Sequence, residues 1–159
     1  MHANCPAYTA YVDSQGTISR EELAALIAKG EIDTVIVAFP DLQGRMVGKR
    51  FTGWFFLEEV ADHGAENCNY LIATDMDDNP IPGYRFASYE LGYGDMVSMP
   101  DWNTVRVLPW QTKTALVLTN LVHPNSHEPI HVSPRQVLRD QVARAEELGY
   151  TPMVGSEIE

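Results

Sequence analysis

Cysteine is scarce: Cys5 and Cys68 are the only two in 159 residues. Two isolated thiols do not build a disulfide framework, and neither belongs to a metal-ligand pattern. They fit a reducing compartment, so a cytoplasmic location is expected. Basic residues are also few, 11 Lys and Arg against 22 acids, giving a formal net charge of -11. Phosphate contacts need a basic face, so no nucleic-acid partner is expected. An acidic surface suits solubility, or cations such as metals and amines. No run approaches the ~20 apolar residues of a membrane span, so no membrane partner is expected. Met1 to Val12 has no basic start and no long apolar core, which excludes a secretory signal there. Low-complexity tracts and internal repeats are missing as well. With 45% hydrophobic and 21% charged residues, disorder throughout is excluded. The length allows one domain with a real core, or one domain and a piece of another.

Local signals are clear in several places. Ser19-Arg20-Glu21-Glu22 is a capping box, with Ser19 capping the helix and Glu22 reaching back three residues. Leu23, Leu26 and Ile27 supply an apolar face, and Gly30 ends the helix. Thr34 to Phe39 is β-branched and apolar, as a buried strand requires. Pro40-Asp41-Leu42-Gln43-Gly44 is a turn, and Arg45 to Phe51 resumes as a more polar strand, which predicts a hairpin. A short helix is expected over Trp54 to His63, offering Trp54, Phe55, Leu57 and Val60 for burial. Asp75 to Gly83 is a loop dominated by proline and Asx residues. Met96 to Met99, Thr104 to Leu108 and Ala115 to Leu121 are expected strands. His123 to His131 is a loop and a plausible domain boundary. Ser133-Pro134 starts a second helix, with Val137, Leu138, Val142, Ala145 and Leu148 as its apolar face and Gly149 at its end. A further strand is expected to begin at Pro152. The fold class is α+β, with a mixed sheet in the first part.

Few motifs carry chemistry. Asp75, Asp77 and Asn79 start like a calcium loop, but Pro80 replaces the glycine and Phe86 stands at the twelfth position, so the pattern fails. His123, His127 and His131 recur every four residues, yet Pro124 and Pro129 exclude the helix that would align them as ligands. Gly92-Tyr93-Gly94-Asp95 lacks the spacing and the lysine of a phosphate loop, and no GxSxG elbow occurs. Glu157 and Glu159 differ from these. Two apart on a strand, they share a face, and two carboxylates make hard-oxygen ligands for Mg²⁺ or Mn²⁺. Alternating glutamates also mark ordinary solvent faces.

Several of these pieces together resemble the glutamine synthetase family. Val154-Gly155-Ser156-Glu157-Ile158-Glu159 is similar to the opening strand of that family's catalytic domain. Ser133 to Leu138 and Leu148-Gly149-Tyr150 resemble the helix that enters it. Asp41-Leu42-Gln43-Gly44-Arg45-Met46-Val47-Gly48-Lys49-Arg50 resembles the hairpin of the N-terminal β-grasp domain, and Tyr93 to Asp101 resembles the segment after the interface loop. The resemblance implies a tail over 1–18, a β-grasp-like domain over 19–129, and the start of a truncated catalytic domain over 130–159. It implies a parent enzyme that uses ATP to activate the γ-carboxylate of glutamate, then lets an amine attack the acyl phosphate. By the same resemblance Glu157 and Glu159 match the first two metal ligands, and the parent forms ring-shaped homo-oligomers. The remaining ligands and most of the nucleotide pocket are expected outside these residues, leaving the 159-residue chain inactive alone. No catalytic or substrate-binding residue is assigned. The Asp-Leu-Gln-Gly-Arg form is closer to γ-glutamylpolyamine and γ-glutamylputrescine synthetases than to ammonia-using enzymes. Those carry an Asp-Gly-Ser-Ser loop whose Asp helps bind ammonium; Gly83-Tyr84-Arg85-Phe86-Ala87-Ser88 stands in that region without a counterpart. A polyamine is therefore the favoured amine over ammonia. The alternative is a non-catalytic β-grasp module for assembly or regulation.

Overall fold

The computed structural model describes residues 16–155 and Glu157. Helix α1 (Arg20–Ala28) begins on the expected capping box: Ser19 Oγ accepts from the Glu22 amide, and Glu22 returns a bond to the Ser19 amide. Its buried Leu23 and Ile27 face the sheet, and Gly30 leaves it with φ 71°, the left-handed geometry that glycine adopts freely.

Strand β1 (Thr34–Pro40) buries Val35, Val37, Ala38 and Phe39. It pairs antiparallel with β2 (Met46–Thr52), so the expected hairpin forms. β2 is mostly exposed, consistent with its polar composition and its place at the end of the sheet. Three short pieces follow without a break: α2 (Gly53–Phe55), a π turn (Phe56–Val60) and α3 (Ala61–His63). β3 (Ala65–Cys68), β4 (Asp95–Pro100), β5 (Arg106–Val107) and β6 (Thr114–Val122) complete a six-stranded sheet of order β2-β1-β6-β4-β3, with β5 also on β6. β1 and β6 run parallel, while β6 pairs antiparallel with β4 and β5. The result is the mixed-sheet α+β architecture expected.

The core divides in two. Leu23, Ile27, Val35, Val37, Phe56, Val60, Val105, Ala115 and Val117 fill the larger cluster, between the helices and the sheet. Phe39, Ile72, Met96, Leu121 and Ile130 form the smaller one. Each of the larger apolar side chains here (Val, Leu, Ile, Phe, Met) contributes about 1.5–3 kcal/mol when fully buried.

Three expectations change. In the stretch after β2, Trp54 and Phe55 are exposed (59% and 48%), whereas Phe56 is completely buried. The amide of Ala61 bonds to the Phe56 carbonyl five residues back. That wider turn rotates the buried stripe onto Phe56, Val60 and Ala61. The second helix, α4 (Pro134–Glu147), has the expected Ser133 cap and N-terminal proline. Its expected apolar face is not covered, and Val137, Leu138 and Leu148 are exposed. The helix docks instead through polar bonds near its start, from Arg135 to Asp101 at 2.6 Å and to Asn120 at 3.3 Å. No strand forms over residues 151–155, because a strand needs a neighbour for its backbone groups and none pairs there among the described residues. Strand β3 was unexpected from the sequence. Asn67 sits buried in it, donating to Ser98 Oγ and the Ala65 carbonyl.

Candidate functional site

The sequence-predicted metal pair is only partly visible. Glu157 is exposed and outside any regular element, and Glu159 lies outside the described residues. Carboxylates are the right donor type for Mg²⁺ or Mn²⁺. Still, one solvent-facing carboxylate does not make a site, and among the described residues no three His, Cys, Asp or Glu side chains gather as a metal centre. The pair fits a divalent ion in ligand chemistry and falls short of one in number. Cys68 is a free, exposed thiol, and Cys5 lies outside the described residues.

The two weak motifs resolve as local structure. Asp75 spends its carboxylate on its own turn: Oδ1 accepts from the amides of Asp77 and Asn79, each at 2.9 Å. Those bonds, with the Asn79 amide as the largest influence, hold its carboxyl below the usual range. Of the three histidines, His131 lies 3.5 Å from Asp140. His127 sits at φ 56°, which breaks the helical spacing.

A cleft of about 440 Å³ with largely apolar lining lies beside the β1–β2 turn. It is lined by Leu42 and Ile72, by a wall of Pro82, Tyr84, Arg85 and Phe86, and by Val132. No acid stands between Ile81 and Ser88, so this wall carries only the charge of Arg85. Ile72 belongs to the smaller core cluster and Phe86 packs against it, which anchors the base of the cleft.

The residues flanking Leu42 make an arrangement not expected from the sequence. Asp41 is 1% exposed. Its Oδ1 accepts from the amides of Gln43 (2.9 Å) and Arg45 (2.8 Å), and its Oδ2 from Arg45 Nε at 2.6 Å. Burial would push the Asp41 carboxyl up, but the bonds from Arg45 and Gln43, with the guanidinium charge, outweigh it and hold the group below the ordinary carboxylate range. The same partner raises Arg45 further. Arg45 also meets Asp78 at 2.9 Å, a pair exposed on the Asp78 side and therefore worth little. The available signal was an Asp four residues before an Arg across a glycine turn.

No family model matches the chain. Individual relatives do. It is 50% identical over 139 residues to γ-glutamylethanolamide synthetase GlnA4 of Streptomyces coelicolor, covering 87% of this chain and 30% of that protein. It is 37% identical over 133 residues to a glutamate–isopropylamine ligase of a Pseudomonas species, covering 84% and 29%. A glutamine synthetase of Thermotoga maritima is 28% identical over 142 residues, covering 87% and 29%. Among solved structures, a GmaS/ADP complex superposes with a TM-score of 0.60 over 79% of this chain and 26% of that one, at 21% identity, which shows a shared fold. The chain spans about 30% of the length of the curated relatives it matches, and over that span it is a homologue of the glutamine synthetase family.

Proposed function

We propose that this chain is the N-terminal part of an ATP-dependent ligase that joins an amine to the γ-carboxylate of glutamate. The carrying observation is the 50% identity over 139 residues to a γ-glutamylethanolamide synthetase. A carboxylate is a poor electrophile, because attack would have to expel an oxide. Transfer of the terminal phosphoryl group of ATP to a γ-carboxylate oxygen gives an acyl phosphate and ADP. The neutral amine nitrogen then bonds to the acyl carbon, phosphate leaves, and the amine loses a proton. In this reading residues 19–129 are a β-grasp-like domain, and 130–159 begin the catalytic domain of a cytoplasmic ring-forming oligomer. Glu157 and Glu159 are proposed as two of the carboxylates of a divalent-ion site whose other ligands lie elsewhere; such an ion would neutralise phosphate charge.

The amine is proposed to be a small primary amine carrying carbon. Leu42, Ile72, Pro82 and Phe86 offer apolar surface, and the wall from Ile81 to Ser88 has no carboxylate for an ammonium ion. The two ligases named above bear an ethanolamide and an isopropylamine in their names. Arg85 on the same wall works against a second positive charge, so the polyamine favoured on the sequence ranks behind an alkylamine. The non-catalytic module draws no comparable support. The test is turnover of the parent protein with glutamate and ATP against ammonia, ethanolamine, isopropylamine, putrescine and spermine, reading phosphate release and the glutamyl product by mass. Product with an alkylamine or ethanolamine is expected. Turnover with ammonia alone overturns the amine assignment, and no turnover with any amine overturns the ligase reading.

A further inference from the structure

The turn between β1 and β2 makes a set of bonds that its own hairpin does not need. Three successive backbone carbonyls of a distant loop are held by two of its side chains. Gln43 Nε2 donates to the Thr74 carbonyl at 2.9 Å. Arg45 Nη2 donates to the Asp75 carbonyl at 3.1 Å, and Nη1 to the Met76 carbonyl at 2.9 Å. The remaining arm of the guanidinium, Nε, is held by buried Asp41. All three nitrogens of the planar group are therefore engaged, with Asp41 holding Nε while the two terminal nitrogens hold the carbonyls. A lysine has one compact ammonium and cannot span such an array.

The loop being held is already ordered within itself. Thr74 and Pro80 form a bridge, the Asp75 amide donates to the Asn79 carbonyl, and the Ile81 amide donates to the Ala73 carbonyl. Local bonds thus set the shape of this small hairpin, and the three captured carbonyls set its position against the sheet. That position governs the cleft. Leu42 lies between Asp41 and Gln43 in the turn and lines the cleft, as does the chain emerging from the held hairpin, Pro82 to Phe86. These two parts of the lining are tied together through the bonds of the clasp.

We propose that Asp41, Gln43 and Arg45 are positioning residues that clasp the 74–80 hairpin and so set the width of the cleft for the amine. The catalytic part of this proposal rests on the ligase reading. The structural part does not. Loosening the clasp leaves the hairpin held by its own bonds alone, so that it opens more often, which raises the KM for the amine and leaves kcat nearly intact.

The experiment compares the parent protein with its Arg45→Lys and Gln43→Ala variants, by hydrogen exchange and by steady-state kinetics. In Arg45→Lys the amides of Asp75, Asp77, Asn79 and Ile81 are expected to exchange about tenfold faster, with those of β6 unchanged, as local opening predicts. The amine KM is expected to rise by about the same factor, with kcat within about twofold, the pattern of lost uniform binding. Gln43→Ala, which removes one carbonyl bond of three, should show a smaller change in the same amides and the same KM direction. Unchanged exchange in Arg45→Lys overturns the clasp. Faster exchange with an unaltered amine KM overturns its role at the cleft and leaves a tie of structural value only. Should the parent protein turn over no amine, the ligase reading falls, and exchange alone then decides whether the clasp exists.

Discussion

Replacing Gly48 with alanine should weaken the β1–β2 hairpin more than its small size implies. Gly48 stands opposite Ala38 in the ladder. A methyl group built there would overlap the Val37 carbonyl oxygen and lie 2.8 Å from Ala38 Cα. Both are backbone atoms of a strand whose Val37 and Ala38 are buried, so neither can swing aside as a side-chain tip would. Relief has to come from parting the two strands. Overpacking of this kind costs about 1–3 kcal/mol. Losing one or two ladder hydrogen bonds adds about 1 kcal/mol each. Alanine returns about 0.4–1 kcal/mol by restricting the unfolded chain. The balance is a destabilisation of about 2–4 kcal/mol. Gly44→Ala is the comparison: its φ is 82°, but a methyl there meets nothing within 4 Å, so only the left-handed backbone penalty of about 1–2 kcal/mol applies. Urea unfolding followed by far-UV circular dichroism and tryptophan fluorescence gives both numbers. The two variants should share the wild-type slope and differ in midpoint, Gly48→Ala unfolding first. Equal midpoints would refute the argument that contact with β1 dictates glycine at position 48.

Two further outcomes follow from the core and from the clasp. Phe56→Ala should cost about 3–5 kcal/mol, since Phe56 is fully buried and meets Trp102 edge-on at 5.9 Å; Phe55→Ala, on a half-exposed ring stacked on Phe51, should cost well under half of that, and a reversed order in thermal unfolding would contradict the π turn. In acid, Asp41 should release the 74–80 hairpin: its folded carboxyl titrates below its unfolded one, so its stabilisation is fully present above the unfolded value, about 3.9, and is lost as pH falls through the lower folded value. Hydrogen exchange at Ile81, whose amide bonds to the Ala73 carbonyl and not to the Asp75 carboxylate, read from pH 5 downward checks this, and a loosening that begins well above the unfolded Asp range would assign the effect to another group.

Signals carried within a few residues were legible in the sequence. Ser19 and Glu22 close a helix start between neighbours. The apolar run from Thr34 to Phe39 and the Asp41–Gly44 turn make a hairpin whose partners are close along the chain. Ser133-Pro134 starts a helix wherever that helix packs. The resemblance carried by Asp41 to Arg50 and by the glutamates at 157 and 159 pointed to a family that the relatives bear out, while the role of those glutamates remains a proposal. Tertiary contacts decided the rest. Asn67 enters a strand because β4 offers it Ser98, 31 residues away. The π turn moves burial from Phe55 to Phe56, because the face that counts is the one the sheet and α1 present. The apolar side of α4 reads as a core face in the sequence, yet burial requires a surface to meet it. Gln43 and Arg45 look like ordinary turn residues until the fold brings three carbonyls of the 74–76 segment within their reach. A sequence states which groups seek partners close by; partners about 30 residues away are chosen only when the whole sheet has assembled.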